Sequence, residues 1–394
     1  MSPTRGCLRL GRTIGSPVLA CTLALGIALA VAADRTGLDV LRPGGSDRGF
    51  ARAIEPRAFA FPADDGPHPH YRNEWWYVTG HLQTPRGARF GFELTFFRIG
   101  IVPPAPVSAP DAASSGAANR SAWRTRQIYA AHFAITDLER GRFHSAQRFA
   151  RDALGLAGAH GPPVRVWLEG WSLAEPTPGD WQLHAADAVY GLSLALHALS
   201  PPVLNGDRGL SVKSDVPGAA SYYYSVPRLA ARGELVRGGQ RLPVSGLAWL
   251  DREWGTSALA PQQRGWDWFG LQLDDGSALM FYALRDAHDA RDAHSAGTWV
   301  DSSGRTRPLA SSQVQIEVER HWVSPEGARY PSRWRIRVPA VGLDVAVIPV
   351  LADQELETTP RYWEGEVIVA GASGGRTLAG RGYVELVGYP GRRR

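Results

Sequence analysis

His70-Tyr71-Arg72-Asn73-Glu74-Trp75-Trp76-Tyr77 leads into an alternating run that ends at Phe96-Phe97-Arg98. A strand repeats every two residues, so Glu74 and Trp76 share one face while Trp75 and Tyr77 share the other. An acid beside indole rings at the mouth of a strand, with His70 at its entry, points to a lined pocket. The same grammar returns mid-chain. Asp251-Arg252-Glu253-Trp254-Gly255 places two carboxylates on one strand face, and Trp266-Asp267-Trp268-Phe269-Gly270 follows after a loop.

Aligned, Trp76, Gly80 and Leu82 match Trp266, Gly270 and Leu273 across a small gap. Each copy then passes a turn glycine, Gly87 or Gly276, resumes its alternation and closes on Arg98 or Arg285. This reads as a diverged repeat of a Trp-led hairpin, and it predicts two similar β lobes. Other periodic segments read as short strands at 128–138, 143–149, 164–174, 181–186 and 189–199, then a long hairpin through Gly238-Gly239 to Trp249. Further strands are expected near 264–274, 278–285, 314–322, 333–338, 343–350, 362–370 and 376–388. No amphipathic helix of ordinary length stands out. The class is all-β, in barrels or sandwiches.

At 394 residues the chain exceeds what one core usually supports, which predicts two domains, 55–255 and 256–394, with Asp251 to Trp254 at their junction. Arg5, Arg9 and Arg12 precede an apolar stretch from Thr13 to Ala33 that ends in Val31-Ala32-Ala33. That is the layout of a secretory signal, and it is also long enough for a membrane anchor. Either way the body is exported, to the periplasm or beyond, and residues 34–54 read as a linker. Both cysteines, Cys7 and Cys21, lie in this leader, so the body has no thiol for a disulfide or a metal.

Without residues 1–33 the chain carries 40 basic and 38 acidic residues, which is no footprint for nucleic acid. Lys213 is the only lysine, and nothing in its surroundings recommends it for Schiff-base chemistry.

The ordered landmarks Glu74-Trp75-Trp76-Tyr77, Gly91 to Arg98, Tyr129-Ala130-Ala131-His132-Phe133, Tyr222-Tyr223-Tyr224-Ser225, Trp249 to Gly255 and Gly265 to Phe269 cover most of residues 60–390. Together they resemble the lipocalin-like proteins grouped with carotenoid 1,2-hydratase (hydroxyneurosporene synthase) and the AttH-type exported proteins. That resemblance implies two lipocalin-like antiparallel β barrels packed together. In the hydratase branch the segment matching Asp251 to Gly255 reads Asp-His-Asn-Trp-Gly. Here Asp251, Trp254 and Gly255 are kept while Arg252 and Glu253 replace the His and Asn. The departure favours the AttH-type branch, whose members are often called predicted secreted hydrolases.

Hydrating an isoprenoid double bond needs a proton donor, a shelter for a developing carbocation and a positioned water. A carboxylic acid kept protonated by burial supplies the first, and aromatic faces supply the second. Asp251 is the expected donor, with Glu253 holding the water and Glu74 or His70 assisting. Trp75, Trp76, Tyr77, Tyr223, Trp254, Trp266 and Trp268 are expected to line an apolar, isoprenoid or lipid-like ligand. The plainer alternative pairs Glu74, Asp251 and Glu253 with Arg98, Arg252 or Arg285 and leaves the tryptophans as core. No cofactor or metal is expected.

Other motifs read as structure. Gly371-Ala372-Ser373-Gly374-Gly375 matches G-x-S-x-G, but it joins two alternating strands as a hairpin turn would. The Asp286 to His294 stretch reads as a solvated loop, and His68 with His70, Asp64 and Asp65 is a weak metal candidate. His132 and His197 sit in apolar strand patterns, as core histidines do. Two other functions compete with the enzyme: a periplasmic carrier or accessory for an inner-membrane export system, and a secreted hydrolase.

Overall fold

The computed structural model describes residues 47–104, 125–257 and 259–391. The leader, its cysteines, residues 34–46 and most of the Pro- and Ala-rich loop after Val102 lie outside them. Two antiparallel sheets carry the fold, and among the described residues there is no α-helix.

The first sheet opens with β1 (Asn73–Gln83), β2 (Arg89–Gly100), β3 (Gln127–Asp137), β4 (Arg142–Arg151) and β5 (Ala157–His160). It continues through β6 (Val164–Leu168), β7 (Trp171–Thr177), β8 (Asp180–Ala186) and β9 (Tyr190–Ala198). The short β10 (Val203–Leu204) and β11 (Leu210–Val212) precede the long pair β12 (Ala220–Arg237) and β13 (Gln240–Gly255). The second sheet holds β14 (Gln263–Leu273), β15 (Ala278–Asp286), β16 (Ala296–Val300), β17 (Thr306–Ala310) and β18 (Gln315–Val323). It closes with β19 (Arg329–Val338), β20 (Leu343–Pro349), β21 (Glu355–Leu356), β22 (Tyr362–Ser373) and β23 (Arg376–Val387).

Strand order runs β4-β3-β2-β1-β13-β12-β9-β8-β7-β6-β5 in the first sheet and β17-β16-β15-β14-β23-β22-β20-β19-β18 in the second. In both lobes the first strand lies between the second and the last. The first sheet curls into a nearly closed barrel and the second into a half-barrel, as two packed lipocalin-like lobes require.

Alternation explains the packing. Trp76, Val78 and Leu82 of β1 enter the first lobe's core with Phe90, Phe92 and Leu94, while Phe269, Leu271 and Leu273 of β14 enter the second lobe's core. A third cluster, including Tyr77, Tyr223, Trp249, Trp268, Tyr282 and Tyr362, takes the opposite strand faces and glues the lobes together. β12 shifts register between Val226 and Leu229, where Pro227 has no N–H for the ladder. Gln272 of the second lobe fills the gap, donating to Pro227 O at 2.7 Å and Ala248 O at 2.9 Å.

The repeat is present, but the leading pairs of the sequence alignment, Trp76 with Trp266 and Gly80 with Gly270, are one residue out of phase. Trp266 and Trp268 face the lobe interface, as Trp75 and Tyr77 do, so Trp76 corresponds to Asp267 and Leu82 to Leu273 with no gap. Arg98 lies opposite Glu74 and Arg285 opposite Gly265, which fixes the same phase on the neighbouring strands. The expected 164–174 strand divides into β6 and β7 at Glu169-Gly170, with Glu169 at φ 53°. Residues 47–54 pack on the first lobe instead of hanging free: Phe50 and Ala53 are buried, and Asp47 pairs with Arg72 at 3.2 Å.

Candidate functional site

A cavity of about 330 Å³ lies between the lobes, lined by both sheets. β1 and β2 supply Trp75, Tyr77, Thr95 and Phe97, and β14 supplies Trp266 and Trp268. Asp251 and Glu253 enter from β13, Tyr223 from β12 and Glu385 from β23. Ala130, Phe149 and Pro360 complete a wall that is mostly apolar.

Asp251 is held by neutral donors alone. Trp249 Nε1–H donates to its Oδ1 at 2.6 Å and Tyr223 O–H to its Oδ2 at 2.5 Å, while Trp268 Nε1–H donates to the Tyr223 oxygen at 2.9 Å. Burial pushes the Asp251 carboxyl up to about 7, against the pull of donors on Ser225, Tyr223 and Trp249. That shift favours the protonated carboxyl inside an apolar cavity.

Glu253 shares the face of Asp251, as the period-two reading requires, but it is committed elsewhere. Ser221 O–H donates to it and Lys213 Nζ lies 3.3 Å away. Lys213 also donates to Ser211 Oγ at 3.0 Å, and its ammonium sits 3.7 Å above the Tyr282 ring. Burial alone would lower this ammonium, but Glu253 and Tyr282 outweigh it and hold Lys213 above its ordinary value, so it is a cation and not a nucleophile.

Glu385 came from neither motif. Trp266 Nε1–H donates to its Oε2 at 2.6 Å. Burial raises its carboxyl to about 7, with the charges of Glu253 and Asp251 adding to the effect. Deeper in the interface Tyr77 O–H donates to Glu364 at 2.7 Å, and burial, then Glu385 and Glu93, push Glu364 well above the carboxylate range.

Of the remaining expected site residues, Trp76, Trp254 and His70 sit elsewhere. Trp76 and Trp254 point into the first lobe's core and do not line the cavity. The Arg252 guanidinium stacks 4.0 Å from the Trp76 ring, and His68 stacks on Trp254 at 3.8 Å. Period two sends both indoles away from Asp251. His70 is exposed in the preceding turn, where its carbonyl accepts from Ala51 N–H at 2.8 Å.

Glu74 borders the cavity, but its carboxylate is taken by Arg98 Nε and Arg252 Nη2, each at 2.8 Å. Burial would raise it, yet Arg98, Arg252 and His68 together hold it well below the usual range. It staples the barrel mouth, and proton donation is closed to it. The second lobe repeats the device with Asp267 and Arg285 at 2.9 Å over Tyr389.

Of the secondary motifs, Ser373 ends β22 and Gly374-Gly375, at φ 56° and 77°, turn the chain into β23. No group of three or more His, Cys, Asp or Glu among the described residues is arranged to hold a metal ion. His132 lines the cavity instead of lying in a core. Burial lowers its imidazole to about 3, and the neutral ring contacts Tyr362 Oη and Gln147 Nε2, each at 2.8 Å.

Sequence reasoning singled out Lys213 without giving it a place in the site, and missed Glu385, Tyr282 and Tyr362. A lone lysine in a chain whose every other side-chain cation is arginine was the available signal for Lys213. Glu385 became findable only once the repeat was in phase.

An AttH protein from Nitrosomonas europaea is 35% identical over 86% of this chain and 100% of its own, with a TM-score of 0.76. Kievitone hydratase from Nectria haematococca shares the fold at 16% identity, 87% and 98% coverage and a TM-score of 0.62. In sequence, a dehydratase (asqC) from Emericella nidulans is 24% identical and kievitone hydratase from Fusarium solani subsp. phaseoli 22%. These matches take in 49% and 42% of this chain, and only 57% and 49% of the relatives' own length. The AttH-like family model matches residues 52–389, and the chain belongs to that family.

Proposed function

We propose that this protein adds water across a carbon–carbon double bond, or forms that double bond by removing water, in an apolar, isoprenoid or lipid-like substrate held between the lobes. Asp251 acts as the proton donor. The observation that carries the reading is a carboxyl poised near 7 in an apolar, indole-lined cavity. A hydratase and a dehydratase among the sequence relatives support the reaction class.

Protonation of an alkene carbon by Asp251 leaves a cation at the more substituted carbon. The faces of Trp75, Trp266 and Trp268 lower its energy. Tyr223 holds Asp251 in place, and Trp268 holds Tyr223. The leader's layout supports export, so the substrate would be met outside the cytoplasm.

The test is incubation with prenylated phenols and isoprenoid alcohols in ¹⁸O-water. The expected result is a new hydroxyl bearing ¹⁸O with the wild type and none with Asp251→Asn. A second reading, a carrier or accessory of an inner-membrane transport system, needs only the apolar wall. It gains if the ligands bind, none acquires ¹⁸O, and Asp251→Asn binds as the wild type does.

A further inference from the structure

We infer that Glu385 is the base that takes the proton from the attacking water, so that one lobe provides the acid and the other the base. This rests on the reading of Asp251 given above and extends it to a residue of the second lobe.

The in-phase repeat sets Tyr77 of β1 in correspondence with Trp268 of β14. Asp251 lies directly opposite Tyr77 on β13, and Glu385 lies directly opposite Trp268 on β23. The two acids thus hold the same position in their respective lobes. Tyr77 and Trp268 meet edge to face at 5.2 Å, which brings the two positions together across the interface. The Tyr223 hydroxyl spans them as well, donating to Asp251 and accepting from Trp268.

Elimination among the other groups leads to the same residue. A general base needs an open lone pair within reach of water. Glu74 is held by two arginines, and Glu253 is paired through Oε1 with the Lys213 ammonium, so a cation already answers it, whereas no cation among the described residues meets Glu385. Both oxygens of Asp251 accept hydrogen bonds, and both ring nitrogens of His132 have partners. Glu385 is bonded only at Oε2, and it keeps accessible surface inside the cavity although its strand neighbours Val384 and Leu386 are buried.

The step then balances. The alkene π pair forms a C–H bond with the Asp251 proton, the water oxygen forms the C–O bond, and Glu385 takes the proton that this oxygen releases. One water is added. Asp251 ends ionised and Glu385 protonated, and exchange with solvent resets both.

An apolar epoxide separates these roles without knowledge of the natural substrate. In 1,2-epoxydodecane, Asp251 protonates the ring oxygen as its C–O bond breaks, and a Glu385 oxygen bonds to the freed carbon. The product is a hydroxyalkyl ester carrying the whole mass of the epoxide. The full chain and its variants are treated with the epoxide, adducts are mapped by peptide mass spectrometry, and Nile red binding reports cavity integrity.

The expected result is one adduct on Glu385, absent in Glu385→Gln and formed about tenfold or more slowly in Asp251→Asn, with both variants binding Nile red. An adduct on Glu253 or Asp251, or none in a chain that binds Nile red, overturns the assignment of Glu385 and leaves the apolar cavity standing. A wild type that binds no Nile red overturns the cavity reading itself, and this inference with it.

Discussion

Two acids on neighbouring strands, β1 and β13, show how residue type and environment part company. Glu74 and Asp251 are both buried, at 1% and 3% exposure, yet two arginines surround one while neutral donors surround the other. Removing the Glu74 charge leaves Arg98 and Arg252 buried without their counter-ion, so Glu74→Gln should cost about 3 kcal/mol in urea unfolding. Asp251 moves the other way. Its folded value of about 7 exceeds the ordinary 3.8, so its ionised form opposes folding above neutrality. Asp251→Asn should therefore match or exceed wild-type stability at pH about 8 while abolishing turnover, a pairing that a structural carboxylate would not give. Lys213→Met should destabilise by about 3 kcal/mol, because Glu253 is left buried and unpaired, and adding Glu253→Gln should recover most of that.

At the scale of elements, period two assigned the strand faces correctly once each strand was known. It placed Asp251 with Glu253 and Trp75 with Tyr77, and the Ser373 motif read correctly as a turn. It could not tell which face was core, and Trp76 and Trp254 were assigned to the pocket because indoles suit both settings. The repeat was visible in the sequence, but matching Trp to Trp put it one residue out of phase, since a Trp and an Asp occupy equivalent positions. β5, β10, β11, β16, β17 and β21 were illegible because two to five residues carry too little periodicity to read. Gly80 marks how closely β1, β2 and β13 pack: a Cβ there would lie 2.5 Å from Leu247 O and 2.9 Å from Ala248 Cα. Gly80→Ala should lower stability by about 2 kcal/mol or more in urea unfolding, whereas Gly374→Asn, in the β22–β23 turn, should leave it within about 0.5 kcal/mol.

Across the whole molecule, the two lobes meet through a band of buried acids with few cations to answer them. Glu93 and Glu364 are driven well above the carboxylate range, chiefly by burial, and Glu366 reaches about 7 along with Asp251 and Glu385. Groups whose folded values are raised bind more protons in the native state than in the unfolded chain. Their contribution is complete below the unfolded values and is lost as pH rises through the folded ones. Glu74 and Asp64, held low, lose theirs in acid instead. Thermal stability should thus peak in mild acid and fall from pH about 5 to about 8. The double variant Glu93→Gln, Glu364→Gln should flatten that fall, and a wild-type profile that rises through this range would contradict the charge pattern of the interface.

The cavity between the lobes is the claim on which the functional reading depends, and native mass spectrometry of the full chain titrated with farnesol tests it most directly. The account predicts one farnesol per chain in the wild type and in Asp251→Asn. It predicts none in Ala130→Trp, which puts an indole on the cavity wall and leaves every acid in the sequence. A wild type that takes up no farnesol, or an Ala130→Trp variant that binds it as well as the wild type, would contradict the account.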